Sequence, residues 1–106
     1  MKDLKLENEE VFHLVQAENE RQLAKWGVQD RHPFEWLAYT TEELGELSQA
    51  ISKFVYDDEP PQNVVNEAIQ TATLCLKIAE MFNDACRKEP TPDVLREMVE
   101  EGNNAT

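Results

Sequence analysis

A chain of 106 residues with 41% hydrophobic and 30% charged residues, and only 3 Gly and 5 Pro, has the size of one domain and the composition of a folded helical protein. Its 22 Asp+Glu outweigh 10 Lys+Arg, and the formal charge of -12 repels a nucleic-acid backbone and an anionic membrane surface alike, which excludes both as partners. A phosphate-bearing small molecule meets the same repulsion unless a divalent cation stands between the two.

The first residues, MKDLKLENEE, contain no apolar core of a signal peptide, and nowhere do enough consecutive apolar residues occur to span a bilayer. A cytoplasmic protein is expected. From about Glu7 to Lys25, Val11, Leu14, Val15 and Leu23 recur at helical spacing, and Gly27 supplies a C-terminal stop. WGVQDRHP then reads as a loop, with Pro33 suited to the first turn of the next helix. In that second helix, Phe34 to Val55, the residues Leu37, Leu44 and Ile51 repeat every seven positions with Leu47 and Phe54 between them. Such a repeat predicts a seam packed against other helices. YDDEPPQN breaks the helix, and Pro61 or Asn63 can begin another.

From Val64 to Ala79, ten of sixteen residues are apolar, so more than one face of that helix has to be covered. A chain this short has few helices to do so, and a homo-oligomer, dimer or tetramer, is the expected way to complete the bundle. Cys75 and Cys86 lack metal-site spacing and read as reduced, buried thiols. Thr91-Pro92-Asp93 has the cap and first-turn pattern of a last short helix through Leu95, Met98 and Val99, ended by Gly102, with NNAT as a loose tail. The expected fold class is therefore all-α, a helical bundle in a single domain of residues 1–106.

The run Thr41-Glu42-Glu43-Leu44-Gly45-Glu46 sets three carboxylates on neighbouring positions of one helix. Like charges at that spacing repel, and a hard cation such as Mg²⁺, which takes oxygen ligands, reverses the sign. The competing reading is a solvated acidic face. Glu67, with Gln70 one turn later, counts against it, because these polar groups sit in the most apolar helix, where burial requires a partner. Glu67 near a helix N-terminus and Gln70 hydrogen-bonded in the core are their structural alternatives. No Gly-rich phosphate loop, nucleophile elbow or Cys/His pairing is present, which removes P-loop enzymes, serine hydrolases and zinc hydrolases.

EELGE followed about twenty residues later by ExxQ, on two helices joined by a short loop, resembles the MazG-like all-α nucleoside triphosphate pyrophosphohydrolases, whose pattern is EExxE then ExxD. Arg21, Lys25-Trp26-Gly27, Gln29 and His32 resemble a lead segment of small members of that group, so the likeness runs from about residue 18 to 82. It implies hydrolysis of a nucleoside triphosphate to the monophosphate and pyrophosphate with Mg²⁺, Mn²⁺ being a substitute, in a house-cleaning role toward non-standard or excess nucleotides. By match to the motif, Glu43, Glu46 and Glu67 are the implied metal ligands, joined by Gln70, and Glu42 is a further ligand or, with Glu43, part of the catalytic set that orients water. Gln70 replaces an aspartate and brings no charge.

Cations for the phosphates are sought in Arg21, Lys25 and Lys53, against the alternative of ordinary surface charge. Trp26 and Trp36 offer rings for a base, although tryptophans beside helix starts are more often packing residues. His32 is a candidate contact to phosphate or base, and His13 is incidental. The alternatives to the general hydrolase are a non-catalytic or nucleotide-sensing helical oligomer, for which Gln70 speaks, and a specialised pyrophosphohydrolase of phosphoribosyl-ATP or dCTP.

Overall fold

The computed structural model describes residues 1–88; the expected last helix from Thr91 and the NNAT tail lie outside them. Three helices follow one another, α1 (Glu9–Trp26), α2 (Pro33–Asp57) and α3 (Pro61–Lys88), and no strand occurs among the described residues. The protein is all-α. By internal contacts it divides into two compact units, Met1–Leu76 and Lys77–Thr106, with α3 running through the division. The described part of the second unit is the last three turns of α3, where Ile78 and Cys86 are half-buried and Met81 and Phe82 exposed.

Local chemistry sets the helix ends. Asn8 caps α1 by accepting the Glu10 N–H at 2.9 Å, and Glu9 and Glu10 complement the positive end of the helix. Gly27 closes it at φ 69°, in backbone that an L side chain adopts only with strain, and donates to the Leu23 carbonyl at 2.8 Å. At the start of α2 the His32 Nδ1 accepts from the Phe34 N–H at 3.2 Å while the Glu35 carboxylate accepts the His32 N–H at 3.4 Å. Pro33 follows at the first helical position, where its missing N–H costs nothing. α2 stops at Asp58, which takes a left-handed conformation (φ 54°, ψ 28°), and only Asp58–Pro60 separate it from α3. So short a connection makes α2 and α3 antiparallel neighbours.

The buried residues of the first unit are few: Trp36 and Ala50 on α2, and Thr71, Thr73 and Leu74 on α3. Each threonine hydroxyl donates to the carbonyl one turn back, Thr71 to Glu67 and Thr73 to Ile69, so neither is an orphan. Along α2 the covered face is Trp36, Thr40, Glu43, Leu47 and Ala50. The seam expected from the seven-residue repeat is displaced from it: Leu37, Leu44 and Ile51 remain 52%, 54% and 46% exposed, and of the expected set only Leu47 turns inward. The apolar arc of α2 is wider than the surface that α1 and α3 cover. Cys75 departs from expectation too, since it is exposed, while Cys86 is half-buried; both are free thiols. Cys75 follows the buried Leu74 and is turned about 100° from it around the helix, away from the covered side.

Candidate metal centre

Glu43 and Glu46 sit one turn apart on α2, and the α2–α3 hairpin swings Glu67 against them. One carboxylate oxygen from each of the three falls within 4.8 Å of the other two. Glu43 and Glu67 are half-buried and Glu46 is exposed, so the group opens to solvent on one side. One oxygen of Glu43 and one of Glu67, the Oε2 atom in each, is sealed from solvent with no hydrogen-bond donor in reach.

Ionised carboxylates cannot donate to one another, so a sealed oxygen in such a group needs a proton or a cation. The electrostatics carry the same message. Burial, followed by the charges of Glu46 and Glu67, raises the Glu43 carboxyl to about 7. Burial, then Glu46, raises Glu67 as well, with Glu18 adding to the effect. The donor set consists of hard oxygens with an open side for water and phosphate, the kind of ligand Mg²⁺ takes, usually through one or two carboxylates. The residues fit that ion.

Gln70 stands one turn beyond Glu67 on α3 and is half-buried, whereas Glu42 is exposed beside the cluster and adds its charge to the field on Glu43. Arg21, on α1, is held chiefly by Glu18 and lies near enough for the charge of Glu43 to act on its guanidinium. Its Nε and Nη2 donate to both carboxylate oxygens of Glu18 at 2.8 and 2.6 Å, a fork that keeps Arg21 firmly protonated and fixes its direction. Glu18 is a residue that the motif reading passes over. Its side chain is only 10% exposed against 50% for Arg21, and the legible signal was an acid three positions before a base on one helix.

The remaining candidates are placed differently. Lys53 lines a polar cleft of about 190 Å³ with Ala50, Glu59, Asn63, Asn66 and Glu67, so it borders the cluster. Asn63 and Asn66 were also missed, although Asn63 precedes Glu67 by one turn and shares its side of α3. Lys25 lies 4.5 Å from the centroid of the Trp26 ring at the end of α1. Trp26 is exposed; Trp36, at 8% exposure, is a core residue with its ring edge-on to Tyr39. His32 spends its Nδ1 on the α2 cap and its ring on Phe34, stacked at 5.7 Å. Comparison with protein-family models, with curated proteins and with solved structures gives no match.

Proposed function

We propose that this protein is a Mg²⁺-dependent nucleoside triphosphate pyrophosphohydrolase of MazG-like type. The observation that carries the reading is the convergence of Glu43, Glu46 and Glu67 around two sealed oxygens that have no donor. A solvated acidic face, the bland alternative, leaves its carboxylates apart and wet.

A divalent ion at the three carboxylates supplies charge neutralisation for the phosphate oxygens and a lowered pKa for water. The protein groups do the rest. Glu43, Glu46 and Glu67 would hold the ion through oxygen. Glu42, exposed one residue before Glu43, accepts the proton as water attacks the α-phosphorus. The new bond is from water oxygen to phosphorus; the bond that breaks runs from that phosphorus to the bridging oxygen, and pyrophosphate departs with its electron pair. Arg21, aimed by Glu18, and Lys53 offset charge on the phosphates. Gln70, half-buried one turn beyond Glu67, would add a neutral amide oxygen to the donor set. Trp26 is the exposed ring available to a base.

The reading includes self-association. Leu37, Leu44, Ile51 and Val55 form one exposed apolar stripe along α2, on the flank away from Glu42 and Glu46, so a second copy seated there leaves the carboxylates open.

The test is pyrophosphate release from a panel of ribo- and deoxyribonucleoside triphosphates with Mg²⁺ or Mn²⁺. Turnover that disappears in Glu43→Gln, in a variant that still melts cooperatively, is the expected result. No release from any nucleotide defeats hydrolysis; if Mg²⁺ and a slow triphosphate analogue still raise the melting temperature, the protein is instead a non-catalytic nucleotide binder, the role to which Gln70 points.

A further inference from the structure

The cleft beside Glu67 has a lining that the metal centre does not explain. Lys53 follows Glu46 by two turns on α2, about 10 Å along the axis, and Asn63 precedes Glu67 by one turn on α3, about 6 Å. Because the hairpin is antiparallel, both displacements lead the same way, toward the Asp58–Pro60 turn. The cleft therefore extends the carboxylate cluster in one direction only.

Its size and chemistry choose an occupant. At about 190 Å³ it is smaller than pockets that engulf a whole drug-sized ligand, which run to roughly 300–1,000 Å³, so it suits one end of a nucleotide. It presents an amine and two amides and no aromatic ring, which suits phosphate oxygens and leaves a base without a stacking partner. Lys53 has no ion-pair partner among the described residues. The Asn66 carbonyl accepts from Gln62 at 2.9 Å, which leaves its NH₂ group free to donate elsewhere. Glu59 and Glu67 also face the cleft and oppose an anion, so filling it depends on a cation at the neighbouring carboxylates.

We propose that the Lys53–Asn63–Asn66 cleft receives the two terminal phosphates of the triphosphate, so that the leaving pyrophosphate points toward the α2–α3 turn and the nucleoside toward the opposite end of α2. This assignment rests on the metal-centre reading above, and it fixes the direction in which substrate lies.

The experiment is calorimetric titration of the full chain with inorganic pyrophosphate, with and without Mg²⁺, and separately with nucleoside monophosphate, for the wild type, Lys53→Met and Asn66→Ala. Pyrophosphate should bind only with Mg²⁺, tenfold or more weakly in Lys53→Met and severalfold more weakly in Asn66→Ala, while monophosphate affinity changes less than twofold. The proposal is overturned if the wild type binds no pyrophosphate with Mg²⁺, if both variants bind it as the wild type does, or if they lose monophosphate affinity instead. Pyrophosphate binding that behaves as expected in a protein with no turnover overturns hydrolysis and keeps the cleft; turnover alongside pyrophosphate binding indifferent to both substitutions does the reverse.

Discussion

Glu43 and Glu67, carried on different helices, bring carboxylate oxygens within 4.8 Å of each other, and each keeps one oxygen sealed from solvent without a donor. Two acids in that position repel when ionised. Their repulsion falls when one of them takes up a proton, and under the proposed function a divalent ion would offset it in the same way.

Replacing Glu43 by Gln removes one of the three charges. At pH 8 without metal the variant should be more stable than the wild type by about 1–3 kcal/mol, because a half-buried like charge is gone. Its melting temperature should no longer rise with Mg²⁺. Thermal melts at several Mg²⁺ concentrations check both, and a wild type indifferent to Mg²⁺ counts against the metal centre.

The pH dependence has a definite sign. Glu43 titrates near 7 in the folded chain, above the ordinary glutamate value, so the unfolded chain releases its proton first as pH rises. Metal-free stability is greatest below about pH 4.5 as far as this group is concerned, and declines between there and pH 7, by up to about 3 kcal/mol before solvent screening. With Mg²⁺ the ion competes with that proton, so its apparent affinity should climb through the same window and level off above pH 7. Denaturant titrations at pH 5 and pH 8, with and without Mg²⁺, measure the difference.

Asp58 closes α2 in left-handed backbone, where a side chain is strained and glycine is not. Asp58→Gly should stabilise the protein by about 0.5–1 kcal/mol, less the entropy that glycine adds to the unfolded chain. Circular-dichroism melts decide it; destabilisation beyond 1 kcal/mol shows that Asp58 makes a contact the turn needs.

His32 is a helix cap in the structure and a candidate substrate contact in the sequence, and two substitutions separate the roles. His32→Ala should cost about 0.5–2 kcal/mol of stability, and His32→Asp should restore most of it. If His32→Asp recovers stability but not the KM for nucleotide, the imidazole has a second task at the substrate.

The exposed α2 stripe makes its own forecast. Leu44→Glu should convert an oligomer to a monomer in sedimentation or light scattering, since it sets a charge into an apolar contact. A wild type already monomeric at micromolar concentration removes the self-association reading.

The amino-acid sequence by itself determined the three helices and the breaks between them, because prolines, glycine and apolar periodicity act within a few residues: Gly27, Pro33 and Pro61 stand at or next to the boundaries they announce. It also marked Glu43, Glu46 and Glu67 as a set, since acids one turn apart and an acid in an apolar helix are visible without coordinates. Which part of α2 faces inward was a tertiary decision. Leu37, Leu44 and Ile51 look like a core seam in one dimension, yet the neighbouring row from Trp36 to Ala50 is covered, because two packed helices shield only part of a wide apolar arc. The cleft shared by Lys53, Asn63 and Glu67 was a tertiary outcome in the same sense, whereas the Arg21–Glu18 pair and the His32 cap are contacts within three residues of chain that the motif reading passed over. The cleft depends on directions and distances between helices, which fall off over a few ångströms and leave no period in the chain.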